Sequence, residues 1–110
     1  MKRLLIVLFI LGITYMLTAD GTPAEGSRTE TDPYLIATLD NLLWLSTTES
    51  VWVTDIYFLQ TADIDASATQ NWNYGQGFSS IGNSEYKFQG IYNGDEHIID
   101  GLYIGKPGID

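Results

Sequence analysis

None of the 110 residues is cysteine, and that absence constrains the fold more than any other feature. A chain of this size builds a core near the lower limit for independent stability, so packing and buried hydrogen bonds must hold it without disulfide staples. The same absence removes thiol nucleophiles, thiolate metal sites and iron–sulfur chemistry.

The missing cysteines matter because the N-terminus reads as an export signal. Lys2 and Arg3 precede an apolar run from Leu4 to Leu17, interrupted by Gly12, Thr14 and Tyr15. The run is shorter than the roughly 20 apolar residues of a spanning helix and suits a signal peptide over residues 1–19. Cleavage after Ala19 puts Leu17 where a small residue is preferred, which leaves an uncleaved membrane anchor as the alternative. With no cysteine behind the run, a lipid-anchored lipoprotein is excluded. The expected location is secreted or cell-surface.

Removal of residues 1–19 leaves 91 residues, with Arg28, Lys87 and Lys106 against fourteen acidic residues and a net charge of −11. Such a charge repels nucleic acid and anionic membranes. It is compatible with calcium, with basic partners or with solubility alone. A hydrophobic content of 45% with 13% aromatic residues argues against disorder.

Residues 20–31 contain no large apolar side chain and read as a flexible linker, leaving residues 32–110 as one small domain. Pro33 to Ala37 has the composition of a short strand. Thr38 can cap a helix carrying Leu39, Leu42 and Leu43 on one face, broadened by Trp44 and Leu45 and ended by Ser46-Thr47-Thr48. A helix this short is unstable alone, so its apolar face must cover something. Val51 to Asp65 is rich in β-branched and aromatic residues; the alternation puts Phe58, Gln60, Ala62 and Ile64 on one face, Asp63 and Asp65 on the other. A polar loop over 66–77 follows, then a short extended piece from Phe78 to Asn83. Phe88, Gly90 and Tyr92 alternate before Asn93-Gly94, and His97, Ile99 and Gly101 alternate after it. That Asn-Gly pair fits either a two-residue hairpin or a solenoid corner.

DPYLIATLDNLLWLS (32–46), FLQTADIDAS (58–67), FSSIGN (78–83) and FQGIYNGDEHIIDGLYI (88–104) occur in an order that resembles the segment preceding the repeats of exported bacterial GLUG-repeat proteins, of filamentous-haemagglutinin-like style. The resemblance spans Asp32 to Pro107. It implies a mainly β fold: a short amphipathic helix capping the first rungs of a right-handed parallel β-helix or solenoid, preceded by a signal helix. The sequence departs from the pattern by reaching Asp110 before any Gly-Leu-Val-Gly type repeat, so the expectation is an incomplete solenoid, from a truncated gene or a fragment, or a cap that lost its solenoid.

Asp63 and Asp65, with Asp55 or Asp100 brought close, can offer oxygen ligands to calcium, although a solvated acidic strand face is the plainer account. His97 is the sole histidine, hence the one base available to a Ser-His-Asp arrangement; packing or bonding to a neighbouring turn is its plainer role. Trp72 and Tyr74 lie in the polar loop and are candidates for stacking on sugar rings, whereas Trp44 and Trp52 are expected in the core. No phosphate-binding Gly-rich loop or basic stripe is present.

The sequence therefore points to a non-catalytic extracellular or cell-surface structural protein of adhesion type, without cofactor. Its expected partners are following solenoid repeats, a second copy joined through an exposed C-terminal strand edge, and surface glycans or proteins. The alternatives are a carbohydrate-binding module using Trp72 and Tyr74, and a fragment of a polysaccharide-active β-helix enzyme using Asp63 and Asp65.

Overall fold

The computed structural model describes residues 21–105. The signal segment expected over residues 1–19 lies outside the described residues. Among the described residues no helix is long and apolar enough to cross a membrane.

Among the described residues five short strands and one α-helix form the scaffold: β1 (Tyr34–Ile36), α1 (Leu39–Thr47), β2 (Tyr57–Gln60), β3 (Ile64–Asp65), β4 (Ile91–Asn93) and β5 (Ile99–Asp100). β1, β2 and β4 make a parallel sheet in that order, and β3 pairs with β5 in a second parallel sheet. Register sets Tyr34 beside Phe58 and Phe58 beside Tyr92. Their rings follow the same column, with centroids 5.5 Å and 6.5 Å apart. Aromatic neighbours across strands stabilise a sheet by about 0.2–1 kcal/mol per pair.

Helix α1 begins as its sequence directs. The Thr38 hydroxyl accepts from the Asn41 N–H at 3.1 Å, and Asp40 places negative charge in the first turn. The buried face is turned relative to the expected Leu39, Leu42, Leu43 stripe: Leu42 and Leu45 are buried, together with the polar Asn41 and Ser46. Asn41 can be buried because its Oδ1 accepts from the Ala37 N–H and its Nδ2 donates to the Thr22 carbonyl, both at 3.0 Å. That second bond ties the segment expected as a linker to the helix. Thr22 N–H also donates to the Asp40 carbonyl, and Leu35 N–H to the Glu25 carbonyl.

The core gathers Ile36, Leu42, Leu45, Val51, Trp52, Ile56, Phe58, Ile64 and Phe78. Burying a side chain of this size stabilises by about 1.5–3 kcal/mol. Trp52 enters with its indole N–H satisfied by the Leu45 carbonyl at 2.7 Å. Thr69, wholly buried, donates to the Ala66 carbonyl and accepts from the Tyr103 N–H. Every buried side-chain nitrogen and oxygen among the described residues has a partner. Polar side chains thus cross-link segments that no disulfide joins.

The expected architecture, a helical cap on the first rungs of a right-handed parallel β-helix or solenoid, is overturned. Strands of two to four residues lie in sheets three and two strands deep, and no β-helix or solenoid is evident. Three local features stop the stacking. The loop after β3 coils into 3-10 turns at Ser67–Asn71 and Asn73–Gly75. Phe78 to Asn83, expected to be extended, contributes no strand. Its start is instead held by an antiparallel bridge between Gly77 and Ile104. Gly77 is required there: at φ +92° a Cβ would sit 2.3 Å from the Tyr103 carbonyl oxygen.

Candidate functional site

The Asn93-Gly94 segment decides how the open side of the molecule is built. β4 and β5 flank it but belong to different sheets, so it is not a hairpin. The turn itself falls two residues later than the Asn-Gly pair suggests. Asp95 and Glu96 carry positive φ (48° and 64°), and His97 N–H closes onto the Gly94 carbonyl at 2.9 Å. Asn93 Oδ1 accepts from the Asp95 N–H and steers the chain into it.

Both sheets end on this side, one at β4 and the other at β5. Residues along a parallel strand turn their backbone groups alternately to one neighbour and the other. Ile91 N–H donates inward to Ile56, and the Ile98 and Asp100 carbonyls accept inward from Ile64 and Ala66. Tyr92 and Ile99 therefore direct their backbone groups to the free edges. Their side chains line a cavity of about 290 Å³ walled by Leu42, Leu45, Phe78, Ile81, Phe88 and Leu102. Leu102 in its wall is exposed, as are Ile91 in β4 and Ile98 just before β5, Ile98 to 58%. An exposed apolar patch beside free strand edges marks a contact surface.

One buried residue braces this side. Gln60 is 2% exposed; its Nε2 donates to the Ala62 and Ile98 carbonyls and its Oε1 accepts from the Tyr92 hydroxyl. Burial pushes the Tyr92 phenol up to about 12. The signal for Gln60 lay in the sequence as a polar residue at an inward position of the Phe58, Ala62, Ile64 register.

The structure gives Asp63 and Asp65 separate tasks. Asp63 Oδ1 accepts from the Ile98 N–H at 3.1 Å and meets His97 Nδ1 at 3.2 Å. Those contacts, the backbone N–H first and the imidazole second, hold its carboxyl below the usual range. Asp65 Oδ1 accepts from the Ser67 N–H and hydroxyl, which lower its pKa likewise. Asp65 stands in backbone register with Asp100. Among the described residues no three or more His, Cys, Asp or Glu side chains group to hold a metal, and His97 bonds to no serine hydroxyl.

Trp72 and Tyr74 do not form a shared platform. Trp72 is partly buried against the core, its ring 6.2 Å from Phe78. Tyr74 is wholly exposed, at 104%, on left-handed backbone (φ 57°, ψ 39°). The turn that holds it is closed by Asn73 Nδ2 on the Gly77 carbonyl at 2.7 Å. Beside that turn lies a cavity of about 230 Å³ lined by Asn73, Gln76, Ser79 and Ser80 among others. Trp52 is buried as expected, and Trp44 packs against the core with its ring edge-on to Tyr34 at 73°.

Comparison with known proteins gives one point of contact. The chain is 35% identical over 103 residues to Halomucin of Haloquadratum walsbyi (strain DSM 16790 / HBSQ001), in a match covering 89% of this chain. It spans 1% of the length of that protein. No family model matches the chain, and no solved structure matches it.

Proposed function

We propose that the chain is a non-catalytic contact module of a secreted or cell-surface structural protein. The observation that carries this proposal is the open side: two sheets end there on free strand edges, beside an apolar cavity walled by Tyr92, Ile99 and the exposed Leu102. A surface of this kind is built to meet another polypeptide. Similarity to a stretch of Halomucin, whose name places it among mucin-like proteins, supports the surface assignment. Antibody labelling of intact cells of the source organism tests it. The expected result is labelling without permeabilisation; reaction only after the membrane is breached would overturn it.

A second role, contact with glycans, is favoured by Tyr74 alone. A bulky residue held at positive φ with its ring entirely in solvent is strained without compensating burial. Sugar rings stack on such faces, and the adjacent amides and hydroxyls of Gln76, Ser79 and Ser80 suit their hydroxyl groups. Glycan-array binding that Tyr74→Ala abolishes and Tyr74→Phe retains is the expected pattern. Binding indifferent to Tyr74→Ala removes this role.

A further inference from the structure

The edge of β5 is more specific than a generic sticky strand, because its two faces differ in chemistry. Ile99 turns into the apolar cavity, whereas Asp100 turns outward and stands in register with Asp65. Like charges directly opposite one another destabilise a sheet. From Gly90 to Gly105 the chain adds Asp95 and Glu96 to Asp100, with no Lys or Arg. Among the described residues the contact of His97 with Asp63 is the one salt-bridge geometry in the region, and none reaches the Asp100 carboxylate.

We infer that the β5 edge takes an extended segment of alternating apolar and basic residues, added as a further strand. The inference rests on the contact-module assignment and names its partner. In register with Ile99, an apolar side chain of the partner enters the cavity among Tyr92, Phe88 and Leu102. In register with Asp100, a lysine or arginine faces outward beside the exposed Asp100 carboxylate. The Ile99 N–H and C=O supply the backbone bonds. A second copy of this chain is a poorer occupant, since its net charge of −9 opposes self-association.

The full chain, titrated with fluorescent peptides of equal length, tests this assignment. One probe alternates Lys and Val, one alternates Glu and Val, and one carries the same Lys and Val residues in two blocks. The alternating Lys/Val peptide is expected to bind about tenfold more tightly than either control, with affinity falling as salt rises. Asp100→Lys, a change at an exposed position, is expected to reverse the preference toward Glu/Val. Equal affinity for all three peptides, or a preference untouched by Asp100→Lys, would overturn the assignment. Concentration-dependent dimerisation that the Lys/Val peptide fails to compete would overturn it too, by giving the edge to a second copy. Each of these outcomes is independent of where the protein is located in the cell.

Discussion

The Tyr92 hydroxyl donates to Gln60 Oε1 over 2.9 Å, linking β4 to a side chain of β2 that in turn holds the strand leading into β5. Gln60→Leu keeps the bulk but leaves the Ala62 carbonyl and the Tyr92 hydroxyl without that partner, while the Ile98 carbonyl keeps its bond from the Ile64 N–H. Orphaned buried groups cost about 1–3 kcal/mol each. A loss of about 3 kcal/mol in urea unfolding is expected. Tyr92→Phe, which orphans Gln60 Oε1 alone, is expected to cost about 1–2 kcal/mol.

The same phenol sets an alkaline limit. Its folded pKa is raised from 10.0 to about 12, so between those values the unfolded chain releases a proton that the native state retains. Stability therefore falls as pH rises through that window. Ultraviolet titration of the native protein is expected to show one tyrosine ionising last, and Tyr92→Phe to remove that step.

At the acid end, Asp63 and Asp65 act in the opposite sense. Both folded pKa values lie below the ordinary 3.8, so their contribution is present above it and is lost as pH falls below it. Asp63→Asn is expected to flatten the acid limb of a stability-against-pH curve. His97→Ala is expected to flatten it less, because the Ile98 N–H is the larger cause of the Asp63 shift.

The turn between β4 and β5 holds two side-chain-bearing residues in left-handed backbone, Asp95 and Glu96. Each such residue costs about 1–2 kcal/mol, part of which glycine returns as chain entropy in the unfolded state. Glu96→Gly is expected to raise stability by about 0.5–1 kcal/mol in thermal unfolding, with the His97–Asp63 contact retained.

Local structure was legible wherever short-range chemistry decides it. Thr38 announced the start of α1, and the inward alternation of Phe58, Gln60 and Ile64 survived although the chain bends between sheets at 61–63. Asn93-Gly94 marked a turn correctly but misplaced its left-handed residues by two positions. The architecture was not legible, since periodicity tells that a segment is extended and is silent on how many strands stack beside it. Of the candidate site residues, the sequence put Trp72 and Tyr74 together as one platform. Only packing shows that Phe78 draws Trp72 inward while the Asn73–Gly77 bond pushes Tyr74 out. An exposed C-terminal strand edge was among the expected contacts; the cavity beside it escaped because Tyr92 and Ile99 look like ordinary strand residues until the sheets are seen to end on them.

Parallel pairing has a kinetic consequence. Tyr34 finds Phe58 24 residues along the chain, Tyr57 finds Ile91 34 along, and Ile64 finds Ile99 35 along. Loop closure on that scale must precede every strand contact, and α1 alone is too short to nucleate a fold. The β3–β5 sheet consequently cannot close until synthesis has passed residue 100, so the C-terminal stretch completes the fold last.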